Sequence, residues 1–225
     1  DLNGNAQTSR LFDLGAVANG GGTVLGSAGS TLVENLDATR SFSGNITGAV
    51  AFQKTGANAT LSLFSDSNTT GDIFLAGGTT LLRDSARFSG TTNIDINYAT
   101  LTLDNNGGTI DISDVQGRIN NAAAIDLRGG TISYIGRAQT VSTETLGAVT
   151  ADQGASTITV ATGGTGINSA DLTLTSLART ATATLNVTGT SLGTLGSFPR
   201  VMITGQANTA SFAPWLIVNS GDYAA

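Results

Sequence analysis

Three aspartates occupy almost identical apolar modules, and their type and spacing come closer to catalytic chemistry than any other residues of this chain. The modules are Ile94-Asp95-Ile96, Ile110-Asp111-Ile112 and Ile125-Asp126-Leu127. Successive side chains of a strand point to opposite faces, so each Asp should face outward while its aliphatic neighbours face a core. Paired outward carboxylates are candidates for general acid and general base chemistry.

The spacing of these modules weakens the catalytic interpretation. The intervals from Asp95 to Asp111 and from Asp111 to Asp126 are shorter than a typical coil of a repeating β-structure, so the three carboxylates need not share one face. Stacked carboxylates also repel one another unless they are paired. The available cationic partners are Arg83, Arg118 and Arg128. We therefore favour solvated outer-face residues over catalytic ones.

Other familiar sites are missing from the sequence. The chain has no His and no Cys, so Ser-His-Asp and Cys-His arrangements cannot be built. Gly164-Thr165-Gly166 lacks the Lys-Ser/Thr that completes a phosphate-binding loop. The turns Ser65-Asp66-Ser67-Asn68 and Asp104-Asn105-Asn106 offer too few carboxylates for a calcium site. We predict no catalytic, cofactor-binding or metal-binding residues, and leave calcium binding by the outward aspartates open.

Charge and hydropathy limit the kinds of partner. The net charge is −6, and the basic residues are Lys54 and nine scattered arginines, which argues against nucleic-acid binding. No run of about 18 apolar residues predicts a transmembrane segment. The opening DLNGNAQTSR lacks the basic and apolar regions of a signal peptide, so we expect a mature chain or an excised module.

The elements that must position these side chains are short strands separated by turns. Apolar residues alternate with polar ones, and the breaks consist of Gly, Asn, Asp, Ser and Thr. No stretch has the helical apolar spacing and caps. The predicted strands are 11–14, 31–33, 50–53, 60–63, 73–75, 79–82, 94–96, 101–103, 110–112, 125–127, 132–135, 157–160, 172–174, 182–187 and 201–203.

Two all-β architectures fit this pattern, a globular sandwich or barrel and a parallel β-helix. Similar strands recur about 20 residues apart from Thr60 onward, which suits one coil of a β-helix. A sandwich should have more aromatic core anchors, yet aromatics make up 5% of the chain while it contains 30 Gly. We favour the β-helix, with coils of about 20 to 24 residues, about ten coils, and a length on the order of 50 Å.

The stretch from Ala51 to Leu82 carries a family resemblance. Lys54-Thr55-Gly56-Ala57, Thr60-Leu61-Ser62-Leu63, Asn68-Thr69-Thr70-Gly71 and Gly78-Thr79-Thr80-Leu81 follow one another there. This order resembles the passenger-associated strand repeat of bacterial autotransporters and related giant surface β-helix proteins. Asn58 stands where the family usually has Gly, and Thr70 where it often has an aromatic residue.

Two later segments are similar to the same proteins. They are residues 143–160, which look like later coils, and residues 213–224, which look like a tail between solenoid blocks. The resemblance implies a right-handed parallel β-helix, exported to the cell surface, with a structural or adhesive role. We divide the chain into a β-solenoid, residues 1–198, and a C-terminal segment, residues 199–225, that caps or joins it.

Together these observations predict a non-enzymatic structural protein, either extracellular or on the bacterial cell surface. It would form a fibre, filament or surface layer, and we expect self-association through the solenoid ends. Two alternatives remain open. One is an adhesive or carbohydrate-binding passenger with a surface glycan as partner, and the other is a polysaccharide-degrading β-helix enzyme.

Overall fold

The computed structural model describes residues 1–9, 21–56, 58–106, 117–166, 168–180, 182–205 and 213–224. These residues form strands and turns and contain no helix. The strands are β1 (Ala6–Ser9), β2 (Thr23–Asn35), β3 (Arg40–Phe42), β4 (Asn45–Thr55), β5 (Thr60–Leu63), β6 (Ile73–Ala76), β7 (Thr79–Leu82), β8 (Asn93–Asn97), β9 (Thr100–Asp104), β10 (Ala124–Arg128), β11 (Thr131–Ile135), β12 (Val141–Gln153), β13 (Ala155–Ala161), β14 (Ser169–Arg179), β15 (Thr184–Thr188), β16 (Pro199–Ile203), β17 (Ala213–Val218) and β18 (Asp222–Ala224).

The strands form two nine-stranded sheets, and from β2 to β17 the chain visits them in turn. Sheet A has the order β1-β2-β4-β6-β8-β10-β12-β14-β16, and sheet B the order β18-β17-β15-β13-β11-β9-β7-β5-β3. Neighbouring strands pair in parallel, except for the antiparallel pair β17–β18. The predicted all-β class with parallel strands is confirmed. We use "circuit" for one strand in each sheet with its connections.

Alternation in the sequence located most of the strands. Thr60–Leu63 and Thr79–Leu82 have the predicted bounds, whereas β1, β3, β12, β17 and β18 were not predicted. The long strand β12 escaped because its inward positions include Ser142 and Glu144, which break the apolar alternation. Predicted strands 11–14 and 110–112 lie outside the described residues.

The circuits differ in length more than the sequence pattern predicts. The register pairs Thr60 with Thr79 on sheet B and Ile94 with Ile125 on sheet A, so the circuit that begins at Ile94 is much the longer of the two. The expected coil of about 20 to 24 residues is therefore too short for this part of the chain. The extra residues lie in the connection from β9 to β10, where they do not alter the pairing of either strand.

Inward side chains fill the space between the sheets. Ile73, Ile94, Ile125 and Val149 are successive register partners of sheet A, and each is at most 1% exposed. Sheet B contributes matching columns of Leu, Ile and Val. Each such side chain contributes about 1.5–3 kcal/mol when fully buried, so these aliphatic columns supply much of the stability of the core.

The corners depend on close backbone contacts and inward hydroxyls. A Cβ at Gly71 would collide with the backbone of Val50, so only glycine fits this corner. Beside it, the hydroxyl of buried Thr69 donates to the Val50 carbonyl at 2.5 Å and accepts the Val50 N–H at 3.1 Å. These bonds satisfy backbone groups where the chain leaves the sheet ladder.

Phe52 on β4 and Phe74 on the neighbouring strand β6 allow a direct test of this core. Phe52 is 0% exposed and lies 6.3 Å, ring centroid to centroid, from Phe88, whereas Phe74 is half-buried and faces outward. Phe52→Ala should lower the free energy of unfolding by about 3–5 kcal/mol because it leaves a cavity. Phe74→Ala should cost under about 1 kcal/mol. Urea unfolding measures both, and equal losses would contradict this assignment of inward and outward faces.

Candidate functional site

The predicted aspartates lead to an ionic network on the outer face of sheet A. Asp95 and Asp126 are direct register partners on β8 and β10. Arg128 Nη1 lies 2.9 Å from Asp95 Oδ2, and its Nε donates to Asp152 Oδ2 at 2.8 Å. The Thr180 hydroxyl donates to Asp152 Oδ1 at 2.9 Å. The network therefore extends over four successive strands or their ends.

A register shift brings Asp152 into this network. Leu127 pairs with Ala151 and Arg128 with Gln153, so Asp152 is the extra residue opposite them. An extra residue in one strand locally re-aims its side chain. Asp152 is half-buried on the outer face, where it reaches the guanidinium of Arg128.

The network shifts the pKa of its members in opposite directions. Burial raises the pKa of Asp95, and the charges of Asp126 and Asp152 add to this, while Arg128 opposes it. Hydrogen bonds from Arg128 and Thr180 lower the pKa of Asp152. The hydrogen bond to Asp152 and the charge of Asp95 raise the pKa of Arg128. These shifts keep the Arg128–Asp152 pair charged at neutral pH.

The three arginines proposed as partners of the aspartates lie in different places. Arg128 does pair with an outward aspartate, as predicted. Arg83 lies 3.6 Å from its neighbour Asp84, and Arg118 is buried inside the protein; pairing of either with Asp111 stays a prediction. Asp111 lies outside the described residues. Asp95 and Asp126 share a face because they are one full circuit apart.

Arg118 is the centre of a buried polar cluster. Its guanidinium donates to the Asn105 side chain at 2.6 Å and to the carbonyls of Ala86 and Asp104 at 2.8 Å each. The Arg118 and Ile119 backbone N–H groups donate to the buried Glu144 carboxylate at 2.9–3.1 Å. Burial lowers the pKa of Arg118 to about 10, against the effect of Glu144. The guanidinium thus stays charged and links two successive circuits, and the backbone N–H groups connect the second of them to Glu144 in the next.

Tyr134 lies at the edge of the same cluster. Its ring is 0% exposed, and its hydroxyl accepts a bond from Asn105 Nδ2 at 3.4 Å. Burial, followed by the charge of Glu144, raises the pKa of the phenol. A neutral phenol deep in the core has a packing role.

Lys54 is a second buried cation. Its side chain is 0% exposed, and its ammonium donates to the carbonyls of Gly77 at 2.6 Å, Ala59 at 2.9 Å and Gly56 at 3.3 Å. Burial lowers its pKa to about 8. The register sets the buried Glu34 beside it on β2. Because Gly77 belongs to the next circuit, the ammonium joins consecutive turns of the chain.

Two of these buried charges could have been predicted from the alternation of inward and outward positions along their strands. Phe52 is inward, so Lys54, two positions further on, must also be inward, and the same holds for Glu144 and Leu146. Arg118 could not be predicted in this way because it lies in an irregular connection outside the strands.

Outside these clusters, a surface depression of about 300 Å³ is lined by Ser89, Asn120, Asn121 and Ala122.

Comparisons with known proteins give no relative. No protein-family model matches the chain, and neither the curated proteins nor the solved structures yield a significant match. Within the described residues, no helix has the length and apolar character needed to cross a bilayer. Those residues also hold no group of three or more acidic side chains placed to bind a metal ion.

Glu144 should matter for stability far more than the outer-face aspartates. Glu144→Gln replaces one acceptor oxygen with a donor that faces backbone N–H groups, so it should cost about 2–4 kcal/mol of unfolding free energy. The matched change Asp126→Asn, on the half-buried outer face, should stay within about 0.5 kcal/mol. Chemical unfolding measures both variants. A Glu144→Gln protein as stable as the Asp126→Asn protein would refute the buried role.

The lowered pKa of Lys54 predicts a dependence of stability on pH. Between about pH 8 and its ordinary value of 10.5, the folded state has released the proton that the unfolded state still holds. Unfolding free energy therefore rises with pH in this window. Relative to Lys54→Met, the parent protein should gain roughly 2–3 kcal/mol between about pH 7 and pH 10. Titrating groups remote from Lys54 cancel in this comparison, and parallel pH curves would disprove the shift.

Proposed function

We propose that the chain forms a stretch of right-handed parallel β-helix that serves as a non-enzymatic structural rod. The observation that carries this is the parallel pairing that continues from β1 to β16 in sheet A and from β3 to β17 in sheet B, with the chain alternating between the sheets. Such pairing stacks circuits about 4.8 Å apart, so nine strands span about 38 Å. A solenoid built in this way grows in length without changing its cross-section.

The interior supports a structural role. The buried cations Lys54 and Arg118 donate to backbone carbonyls and side chains of their own and neighbouring circuits. Such bonds tie circuits together, which a rod under load requires. A catalytic cation would instead have to reach a substrate at the surface.

The outer carboxylates are also better explained by structure than by catalysis. Arg128 bridges Asp95 and Asp152, and this neutralises repulsion within a stack of acidic residues. A general acid and base pair needs carboxyls whose geometry faces a bound substrate. Here the arginine occupies the space between two of the carboxylates.

We further propose that the rod acts outside the cell or at the bacterial cell surface. The family resemblance, the lack of Cys and the Thr-rich, weakly charged composition support an extracellular or bacterial cell-surface fibre, filament or layer. β16 and β17 continue the two sheets in parallel, and β18 adds an antiparallel strand. We assign residues 199–225 to capping the rod or joining it to another copy.

Small-angle scattering of the purified chain tests the rod directly. The expected result is an elongated particle whose cross-section stays constant, and electron microscopy should show rods or end-to-end filaments. Circular dichroism should show strand signal with almost no helix. A compact, near-spherical particle would overturn the proposal.

A further inference from the structure

The outer face of sheet B carries a regular array of hydroxyl groups. Two outward columns run across β5, β7, β9, β11, β13 and β15, and ten of their twelve residues are Thr or Ser. The first column is Thr60, Thr79, Thr100, Thr131, Thr157 and Asn186, and the second is Ser62, Leu81, Thr102, Ser133, Thr159 and Thr188. We call these twelve residues the hydroxyl face.

The hydroxyl face is regular in both directions. Its five strand pairings have no register shift, in contrast to the shifts in sheet A at Leu127 and Gly26. Side chains therefore repeat about every 4.8 Å across the strands and about every 6.6 Å along them. The restricted χ1 of threonine fixes where each hydroxyl and methyl points. The eight threonines of the hydroxyl face therefore present hydroxyls and methyls at repeating positions.

The hydroxyl face also lacks charge. None of its twelve residues is Asp, Glu, Lys or Arg, whereas the outer face of sheet A carries Asp95, Asp126, Arg128 and Asp152. A neutral surface complements a neutral ligand, because a charged ligand would lose its hydration without gaining a counter-charge. Each hydroxyl can both donate and accept, so a ligand should do the same at the Thr and Ser positions. Thr159 and Thr188 also hydrogen-bond to each other at 3.0 Å.

A second copy of the same face is a poor occupant by size. The array is about 24 Å long and two columns wide, an area on the order of 300 Å², against about 800 Å² per partner in a standard stable interface. A different folded protein is also a poor fit, because its surface would not repeat with the spacing of these side chains. The repetition favours a ligand that is itself a lattice.

We propose that the hydroxyl face binds ice. An ice surface is an uncharged two-dimensional lattice in which every oxygen donates and accepts hydrogen bonds. Hydroxyls arranged in rows hydrogen-bond water molecules at fixed spacing, and the methyl groups beside them restrict the motion of the first water layer. The face thereby holds a sheet of ordered water that joins the crystal. This function is separate from the rod proposal, which scattering tests independently.

Ice growth in the presence of the purified protein tests the assignment. The parent chain should facet ice crystals and open a gap between the melting and freezing temperatures. Thr131→Lys, in the middle of the face, should abolish both effects because the longer charged side chain holds the ice crystal away from the hydroxyl face. The matched control Thr150→Lys, at a half-buried outward position of sheet A, should leave both effects intact.

Several outcomes would overturn the proposal. Ice that grows as unfaceted discs in the parent protein, at the rate seen with an equal concentration of serum albumin, removes it. Equal loss in Thr131→Lys and Thr150→Lys shows that the face is not responsible. Sedimentation with crystalline cellulose that Thr131→Lys abolishes, without any effect on ice, reassigns the face to a polysaccharide. Circular dichroism confirms that each variant is folded.

Discussion

The fold depends on one constraint, which is that every circuit must return its strand to the ladder with the same side-chain parity. Side chains of a strand alternate with a period of two, so a slip of one residue would exchange the inward and outward sets. Ile73, Ile94 and Ile125 keep their alignment although the circuit from Ile94 to Ile125 is much longer than the one before it. Parity is preserved because length differences are absorbed in the connections, where no ladder has to match.

This constraint explains why charges lie inside the protein. At each corner the backbone leaves the ladder, and carbonyl groups that point inward lose their strand partners. Lys54 donates to the Gly77 carbonyl and Arg118 donates to the Ala86 carbonyl, and Glu144 accepts from backbone N–H groups at another corner. Replacing such groups by apolar residues would leave the corners unsatisfied. We infer that the buried charges fix the register of adjacent circuits, in addition to any net stability they contribute.

Sequence alone predicted most of the strands and the faces of their residues, but not how many residues separate register partners. The alternation in Thr60–Leu63 or Ile125–Leu127 is a local property, so it predicted both the strand and the outward Asp126. Whether Asp95 and Asp126 are neighbours depends on the length of the connection at residues 105–123, which no local pattern encodes. The position of Asp152 depends on a register shift between two strands. Arg118 is positioned by partners that are distant in the chain, from Asp84 to Asn105, again beyond local pattern.

The two outer faces differ because their ladders differ. In sheet A the register shift beside Arg128 breaks the repeat, and the residues there form a local cluster of unlike side chains with individual partners. In sheet B the pairing from β5 to β15 runs without a shift, and equivalent positions carry equivalent side chains. A protein that needed only a soluble rod would gain from charges on both faces. Two columns of sheet B carry no charged residue, although the chain has a net charge of −6 and the next outward residue of β9 is Asp104. Contact with a neutral periodic surface would give these two columns a use.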